Sequence, residues 1–432
     1  MLRFTGLFCF IIALALFMPV PALTQEEVQD EIEDSGYAEW SAELRGSYRN
    51  LFIYQRTDEF IKDSSSIPRD KKMIADLNRL SFSPEISYGE NFTFHTDMDM
   101  EAIFSNYNRT TPFDLYWRES DYNDFTKPLS EPVYNRSLYL SGGIRNIYIK
   151  MAKGEFTGTA GRQQVRFGSS RLWNPLDLLN PFSPVHVEGN DEQKGIDALR
   201  IDWYPGESTE FTCLINPVRA NDEFTETDFQ SSNYAVRLQT GISEVDAALL
   251  AAYTAKRRNA GFDFQLTIFD GMLTGVVLWS DPQDGKSYIQ CGSGYEYTFT
   301  SGLYFLVEYF YNSLPVNDDT ELQAAIFNMN TSGVDSGNYY VLANRIITFN
   351  SHYLSAAAGY DLHPLLRGEL FAIYDFQGGG LFMNFSLKLN AMQNLDLTAG
   401  AICSMVNENG RVSDFISYNK KPLLYASADL YF

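Results

Sequence analysis

Along most of the chain, apolar and polar residues alternate with a period of two, as in strands with one face in an apolar medium and the other in water. The segment starting at Phe92 is the cleanest: Phe92, Phe94, Met98, Met100 and Phe104 share one face, and Thr93, His95, Asp97, Asp99 and Glu101 share the other. Upstream, Trp40, Ala42, Leu44 and Tyr48 alternate with Glu43, Arg45, Ser47 and Arg49, and Leu80, Phe82 and Ile86 alternate with Arg79, Ser81, Ser83 and Glu85. The connections alternate as well. Short ones fall near 89–91, 153–155, 205–208, 241–244, 270–271, 301–302, 362–364 and 391–394. Between them lie longer ones near 55–71, 105–135, 169–194, 219–230 and 314–345, and smaller members of the same set near 255, 283, 377 and 410. This parity predicts an all-β fold, a transmembrane antiparallel up-and-down β-barrel of about 18 strands, or 16 if one hairpin lies inside the lumen, with short periplasmic turns and long outer loops. A lipid-facing Arg or Lys costs about 2 to 4 kcal/mol at mid-bilayer, so the charged face of each strand is assigned to the lumen, which is expected to be polar and charged.

Both ends agree with that architecture. Arg3, an apolar run over 7–17 and small residues over 22–24 read as a secretory signal peptide spanning 1–24. Beyond it no apolar run reaches the roughly 18 residues of a membrane helix. An acidic segment, 25–38, is expected in the periplasm, which leaves 39–432 for the barrel with no plug domain ahead of it. The last strand sets Leu424, Ala426, Ala428, Leu430 and Phe432 against Tyr425, Ser427, Asp429 and Tyr431. A final apolar face ending in an aromatic resembles the C-terminal signal of bacterial outer-membrane barrels. The resemblance implies a Gram-negative outer membrane, contact with lipid and lipopolysaccharide, and recognition of Phe432 by the outer-membrane assembly machinery.

Composition fits a barrel better than a soluble domain, because 27 Tyr and 32 Phe accompany only 45% hydrophobic residues. Lipid-facing aromatic girdles and a polar lumen account for both. The net charge of −22 argues against nucleic acid as a partner. Of four cysteines, Cys9 leaves with the signal; Cys213, Cys291 and Cys403 are too few and too scattered for a disulfide framework. His95 and Asp97 stand two apart on one face, superficially an acid/base pair, but the chain lacks the serine-elbow and zinc-binding motifs of hydrolases. No catalytic residue, cofactor or metal site is therefore expected. Asp97, Asp99 and Glu101 are read as a solvated wall rather than a cation site.

The candidate chemistry is luminal charge. Arg45, Arg49 and Arg79 come from the first two strands and Asp97, Asp99 and Glu101 from the third, followed by a second basic group of Lys150, Arg162, Arg166 and Arg200. Opposed rows of charge would set up a transverse field that selects solutes, whereas pairing between neighbouring strands would only brace the wall. Next comes Gly161-Arg162-Gln163-Gln164-Val165-Arg166-Phe167-Gly168, then Ser169 to Arg171 and a stretch from Leu172 to Pro181 containing two Asn-Pro steps. Asn-Pro steps favour tight turns and the leucines need burial, which leaves two readings open, a loop that folds back into the barrel and narrows the pore or one that plugs or stiffens the barrel; whether 169–194 enters the lumen is not set by the sequence. The Gly-Arg-Gln strand and Trp-Asn-Pro loop resemble those of porin-like proteins of the alginate-export and related outer-membrane families, over about 40 of the 432 residues. If the resemblance holds, Arg162, Arg166, Arg171 and Asp177 contribute to a constriction. A barrel this wide leaves an aqueous passage. The expected function is diffusion of small polar or ionic solutes, in a protomer that could be a homo-oligomer; a sheath or scaffold for a redox or secretion partner is the alternative.

Overall fold

A computed structural model describes residues 40–56, 72–108, 113, 130–179, 195–218, 232–283, 285–316, 346–407 and 411–432. The expected signal peptide, the acidic segment and much of the long loops lie outside the described residues. Among the described residues nineteen strands follow in order: β1 (Trp40–Arg56), β2 (Lys72–Tyr88), β3 (Phe92–Ser105), β4 (Ser130–Tyr134), β5 (Leu138–Lys153), β6 (Phe156–Gln163), β7 (Ile196–Gly206), β8 (Thr209–Asn216), β9 (Asn233–Ile242) and β10 (Val245–Thr254). The second half contains β11 (Arg257–Ile268), β12 (Gly271–Pro282), β13 (Tyr288–Thr298), β14 (Tyr304–Asn312), β15 (His352–His363), β16 (Leu366–Asp375), β17 (Gly380–Met392), β18 (Leu395–Val406) and β19 (Leu423–Tyr431).

Each strand pairs antiparallel with its neighbour, β3 pairs directly with β5, and β19 returns to β1, so eighteen strands close a barrel, as the hairpin parity predicts. Closure removes the exposed sheet edge that would otherwise invite aggregation. The nineteenth strand, β4, pairs only with β5, at the outer end of that strand. There β6 has already left the wall, since it pairs with β5 only over Ile147–Lys153 of that strand. The freed edge is covered by β4 and, one step lower, by the Gly195 N–H donating to the Arg145 carbonyl at 3.1 Å.

Side-chain parity sorts as expected on the outside. Trp40, Leu44, Phe52, Met100, Phe156, Ile201, Trp203, Phe262, Leu354 and Phe385 all project from the wall and are exposed. Aromatics cluster at the short-turn rim, where Trp40 meets Tyr88 at 4.9 Å and Phe156 stacks on Trp203 at 6.1 Å. Cys213, Cys291 and Cys403 are free thiols that share the parity of exposed Ile215, Ile289 and Met405.

The inside departs from the expectation of a uniformly polar lumen. Toward the outer ends of the strands, inward positions become apolar: after Arg49 come Leu51 and Ile53, and on β2 Arg79 gives way to Leu77, Ala75 and Met73. These join Ile103, Tyr139, Phe310, Tyr353, Ile373, Phe382, Ile402 and Leu423 from other strands and Phe113, Trp173, Ile346 and Phe415 from loops. A second cluster sets Val165, Phe167, Leu176, Leu178 and Leu179 against β7 to β10, β12 and β13. The outer half of the barrel is therefore lined by an apolar core shared between wall and loops. The inner half carries the water-exposed charge, and the charged groups of the outer half, such as Asp375 and Arg257, are buried.

Candidate luminal site

Across β19, β1, β2 and β3, one row of pairing partners carries Asp429, Arg49, Arg79 and Glu101 side by side. The Arg49 guanidinium donates to Asp429, and Arg79 reaches Glu101 with Nε at 3.0 Å and Nη2 at 2.5 Å. The row continues to Asp396 on β18, which accepts Lys388 at 3.0 Å. Arg45, the most water-exposed of the group, pairs with Glu43 on its own strand at 2.7 Å. Within this row each arginine is paired with a carboxylate of the adjoining strand, so unlike charges meet inside the wall.

Below this row a β-bulge changes the local arrangement. Asp97 faces Asn146, Met98 faces Ile144, and Arg145 is the extra residue between them. Bulges re-aim side chains. Arg145 binds Asp99 at 2.5 Å, while Asn146 donates to Asp97 at 2.7 Å and Ser83 donates to its other oxygen at 2.5 Å. The His95 ring lies between two carboxylates, with Nδ1 3.0 Å from Glu85 and Nε2 3.1 Å from Asp97, and stacks on Tyr148 at 5.1 Å. Thus Asp97, Asp99 and Glu101 are each engaged by donors of the neighbouring strands.

The second basic group is scattered. Lys150 is exposed on the inner face near the short-turn rim, and Arg200 lies in the same row beyond Thr159, held by Asp202 at 2.8 Å and Glu210 at 3.1 Å. Arg162 is only 1% exposed and holds Asp197 through two bonds of 2.9 and 3.0 Å. This pair sits where β6 departs from the wall, so Arg162 fastens that departure rather than facing water.

From there 164–179 runs inside the barrel, so the described part of the 169–194 loop, 169–179, lies within the lumen; 180–194 lies outside the described residues. Its turn is built by Asn174, which donates to the Phe167 carbonyl at 2.7 Å and accepts from the Leu176 N–H at 3.3 Å. Gly168, at φ +90, brings the chain too close to Asn174 for any side chain. Leu176 is fully buried against the inner wall, where a Cβ on Gly261 would collide with it. Arg166 approaches buried Asp177 at 3.6 Å. At mid-strand, the carboxylate of Glu308 on β14 accepts the N–H groups of Arg171 at 3.2 Å, Leu172 at 3.3 Å and Trp173 at 2.5 Å. Trp173 stacks on Phe310 at 4.7 Å and donates its indole N–H to Ser355 at 2.7 Å. The Arg171 side chain projects into the lumen, more than half exposed, with Nη2 on Glu296 at 2.8 Å; Tyr304 donates to the other oxygen of Glu296 at 2.7 Å.

Sequence reasoning selected Arg171 and Asp177 but missed Arg145, Glu296, Tyr304 and Glu308. The last three share the inward parity of β13 and β14 and were within reach of a period-two scan. Arg145 was not, because the bulge that turns it inward leaves no signature beyond the preceding Gly142-Gly143 pair.

No family model and no curated relative matches the sequence. Solved structures match the fold. Pseudomonas aeruginosa OccK5 (OpdH) superposes with a TM-score of 0.53 at 10% identity, covering 91% of this chain and 98% of that one. Acinetobacter baumannii OccAB3 gives 0.52 at 12% identity over 91% and 99%, and a doubly substituted variant of OccD1 (OprD) gives 0.52 at 13% over 92% and 96%. The shared architecture is the eighteen-stranded porin-like barrel.

Proposed function

We propose that this protein is an outer-membrane channel through which small polar or charged solutes diffuse, without a chemical step. The observation that carries this reading is the closed eighteen-stranded wall with an apolar exterior and a charged inner lumen, narrowed by 164–179. A barrel of that width holds water unless something fills it. The fold likeness to Occ channels supports the same reading. Residues 1–24 would be removed on export, 25–38 would lie in the periplasm, and 39–432 would form the barrel, with Phe432 addressing the assembly machinery and lipid with lipopolysaccharide around the wall. Kinship with the alginate-export-like porins is the finer reading, supported by the Gly-Arg-Gln and Trp-Asn-Pro segments alone.

Within the lumen, Arg45, Lys150, Arg166, Arg171 and Lys388 are open to passing solutes, and Arg166 and Arg171 lie on the infolded segment. The paired rows, Arg49 with Asp429, Arg79 with Glu101 and Asp99 with Arg145, keep the wall rigid and nearly neutral. The apolar outer half has a consequence for conductance. A mouth lined by packed side chains leaves less water than an open eighteen-stranded pore, so single-channel conductance should fall well below that of an unobstructed barrel of this size. Planar-bilayer recording under a salt gradient tests the reading. Small, stable openings with a defined reversal potential are expected; a correctly inserted protein that never conducts would overturn it in favour of a sheath or scaffold.

A further inference from the structure

We propose that Glu308 is the positioning residue that sets the aperture and charge selectivity of the channel, by holding Arg171 to Trp173 against the wall; this rests on the channel reading above. Glu308 is fully buried on the inner face of β14. A buried carboxylate is costly unless its oxygens receive hydrogen bonds. Its partners are three successive backbone N–H groups, a concave nest of the kind that binds anions. Oε2 accepts from Arg171 and Leu172 and Oε1 from Trp173. The wall supplies the anion and the loop supplies the cradle.

The surrounding residues make room for this junction. Gly294 pairs with Glu308 on β13 and Ser355 pairs with it on β15. A Cβ on Gly294 would press on the Glu308 side chain, and one on Gly292 would meet the Trp173 carbonyl at 3.3 Å and Ser170 Oγ at 3.4 Å. Small residues therefore flank the carboxylate where the loop seats. The same three residues end in the groups that matter to the lumen: Trp173 enters the outer apolar core, and Arg171 hangs into the polar half beside Glu296 and Tyr304. Fixing this backbone fixes both. Hydrogen bonds to a charged acceptor are among the strong ones, so losing the carboxylate frees the loop and takes Arg171 out of its position.

The test records Glu308→Ala, Glu308→Gln and Arg171→Ala beside the unaltered protein in planar bilayers, after heat-modifiable gel mobility has confirmed folded barrels. Conductance of Glu308→Ala should rise about twofold or more as the constriction relaxes, and its reversal potential should move toward that of Arg171→Ala. Glu308→Gln keeps one acceptor and should fall between; it serves by the same criterion if the alanine variant does not fold. A disulfide between Ser170→Cys and Gly292→Cys, with Cys213, Cys291 and Cys403 replaced by Ala, should restore the original conductance and reversal potential to Glu308→Ala when oxidised and lose them when reduced. Folded Glu308 variants with unchanged conductance and selectivity would overturn the proposal, as would a tether that restores nothing. An unaltered protein that does not conduct would instead count against the channel reading itself.

Discussion

Single residues divide between bracing the wall and closing the mouth. Arg145 belongs to the first group: it and Asp99 are both largely shielded from water at 2.5 Å separation. Removing one partner of such a pair strands the other charge, at a cost of about 3 kcal/mol or more. Arg145→Ala should therefore lower the temperature at which the folded gel band converts to the unfolded one, and Arg145→Ala with Asp99→Asn should recover most of the loss. Asp414 belongs to the second group. It accepts the Phe349 N–H at 3.0 Å and the Tyr353 hydroxyl at 2.5 Å, joining the loop after β18 to the start of β15 and the loop that leads into it. Burial, reinforced by the nearby Asp375 charge and partly offset by those hydrogen bonds, pushes its carboxyl up to about 6. A folded-state value above the unfolded one means that protonation favours the docked loop. That stabilisation is complete below about pH 4 and lost as pH rises through 6. Protection factors over 411–422, taken against the intrinsic base-catalysed exchange rate at each pH, should be higher at pH 5 than at pH 7.5, and Asp414→Asn should abolish the difference.

At the level of elements, two seams decide whether the strands become a barrel. One is where β6 leaves the wall, covered by β4 and anchored by the Arg162–Asp197 pair. The other is the closure of β19 on β1. There Gly46 and Phe432 exchange backbone hydrogen bonds of 2.7 and 2.9 Å, and the Phe432 ring lies over Gly46, edge-on to Phe82 at 6.1 Å. Any Cβ at position 46 would intrude on that ring. Gly46→Val should slow barrel closure severalfold, followed as the rate at which the heat-modifiable band appears after dilution into vesicles. An unchanged rate would mean that the ring can be seated elsewhere. The tight two-residue turn at Ala255 and Lys256, with φ of 49° and 56°, is a simpler device: both residues adopt the left-handed turn that matches strand twist.

For the whole molecule, the notable feature is that one lumen is built from two materials, a charged inner half and an apolar outer half. Phe415, from the loop after β18, is fully buried in the outer half, packed against Tyr353 and Phe382 at 6.5 and 5.5 Å. Truncating a buried Phe typically costs about 3 to 5 kcal/mol. Phe415→Ala should thus loosen the mouth, raising open probability and conductance in bilayer records without changing folded yield; an unaltered record would show that the solute path runs elsewhere. The sequence by itself determined the strand number, the short and long sides and the lipid-facing positions. Those follow from a period-two pattern under a medium that penalises charge, which is local information. It also marked the loop as one that needs burial, since its leucines and Asn-Pro steps call for burial and tight turns; that the loop enters the lumen was decided by the inner wall it packs on. Which charges face water was decided only in three dimensions. Arg49 finds Asp429 some 380 positions away, the bulge turns Arg145 inward, and Arg162 is sealed against Asp197. The apolar outer lumen escaped for a related reason. Leu51 and Ile53 continue the luminal parity of Arg45 and Arg49 on the same strand, and only the arrival of Trp173 and Phe415 from distant loops makes burying them favourable.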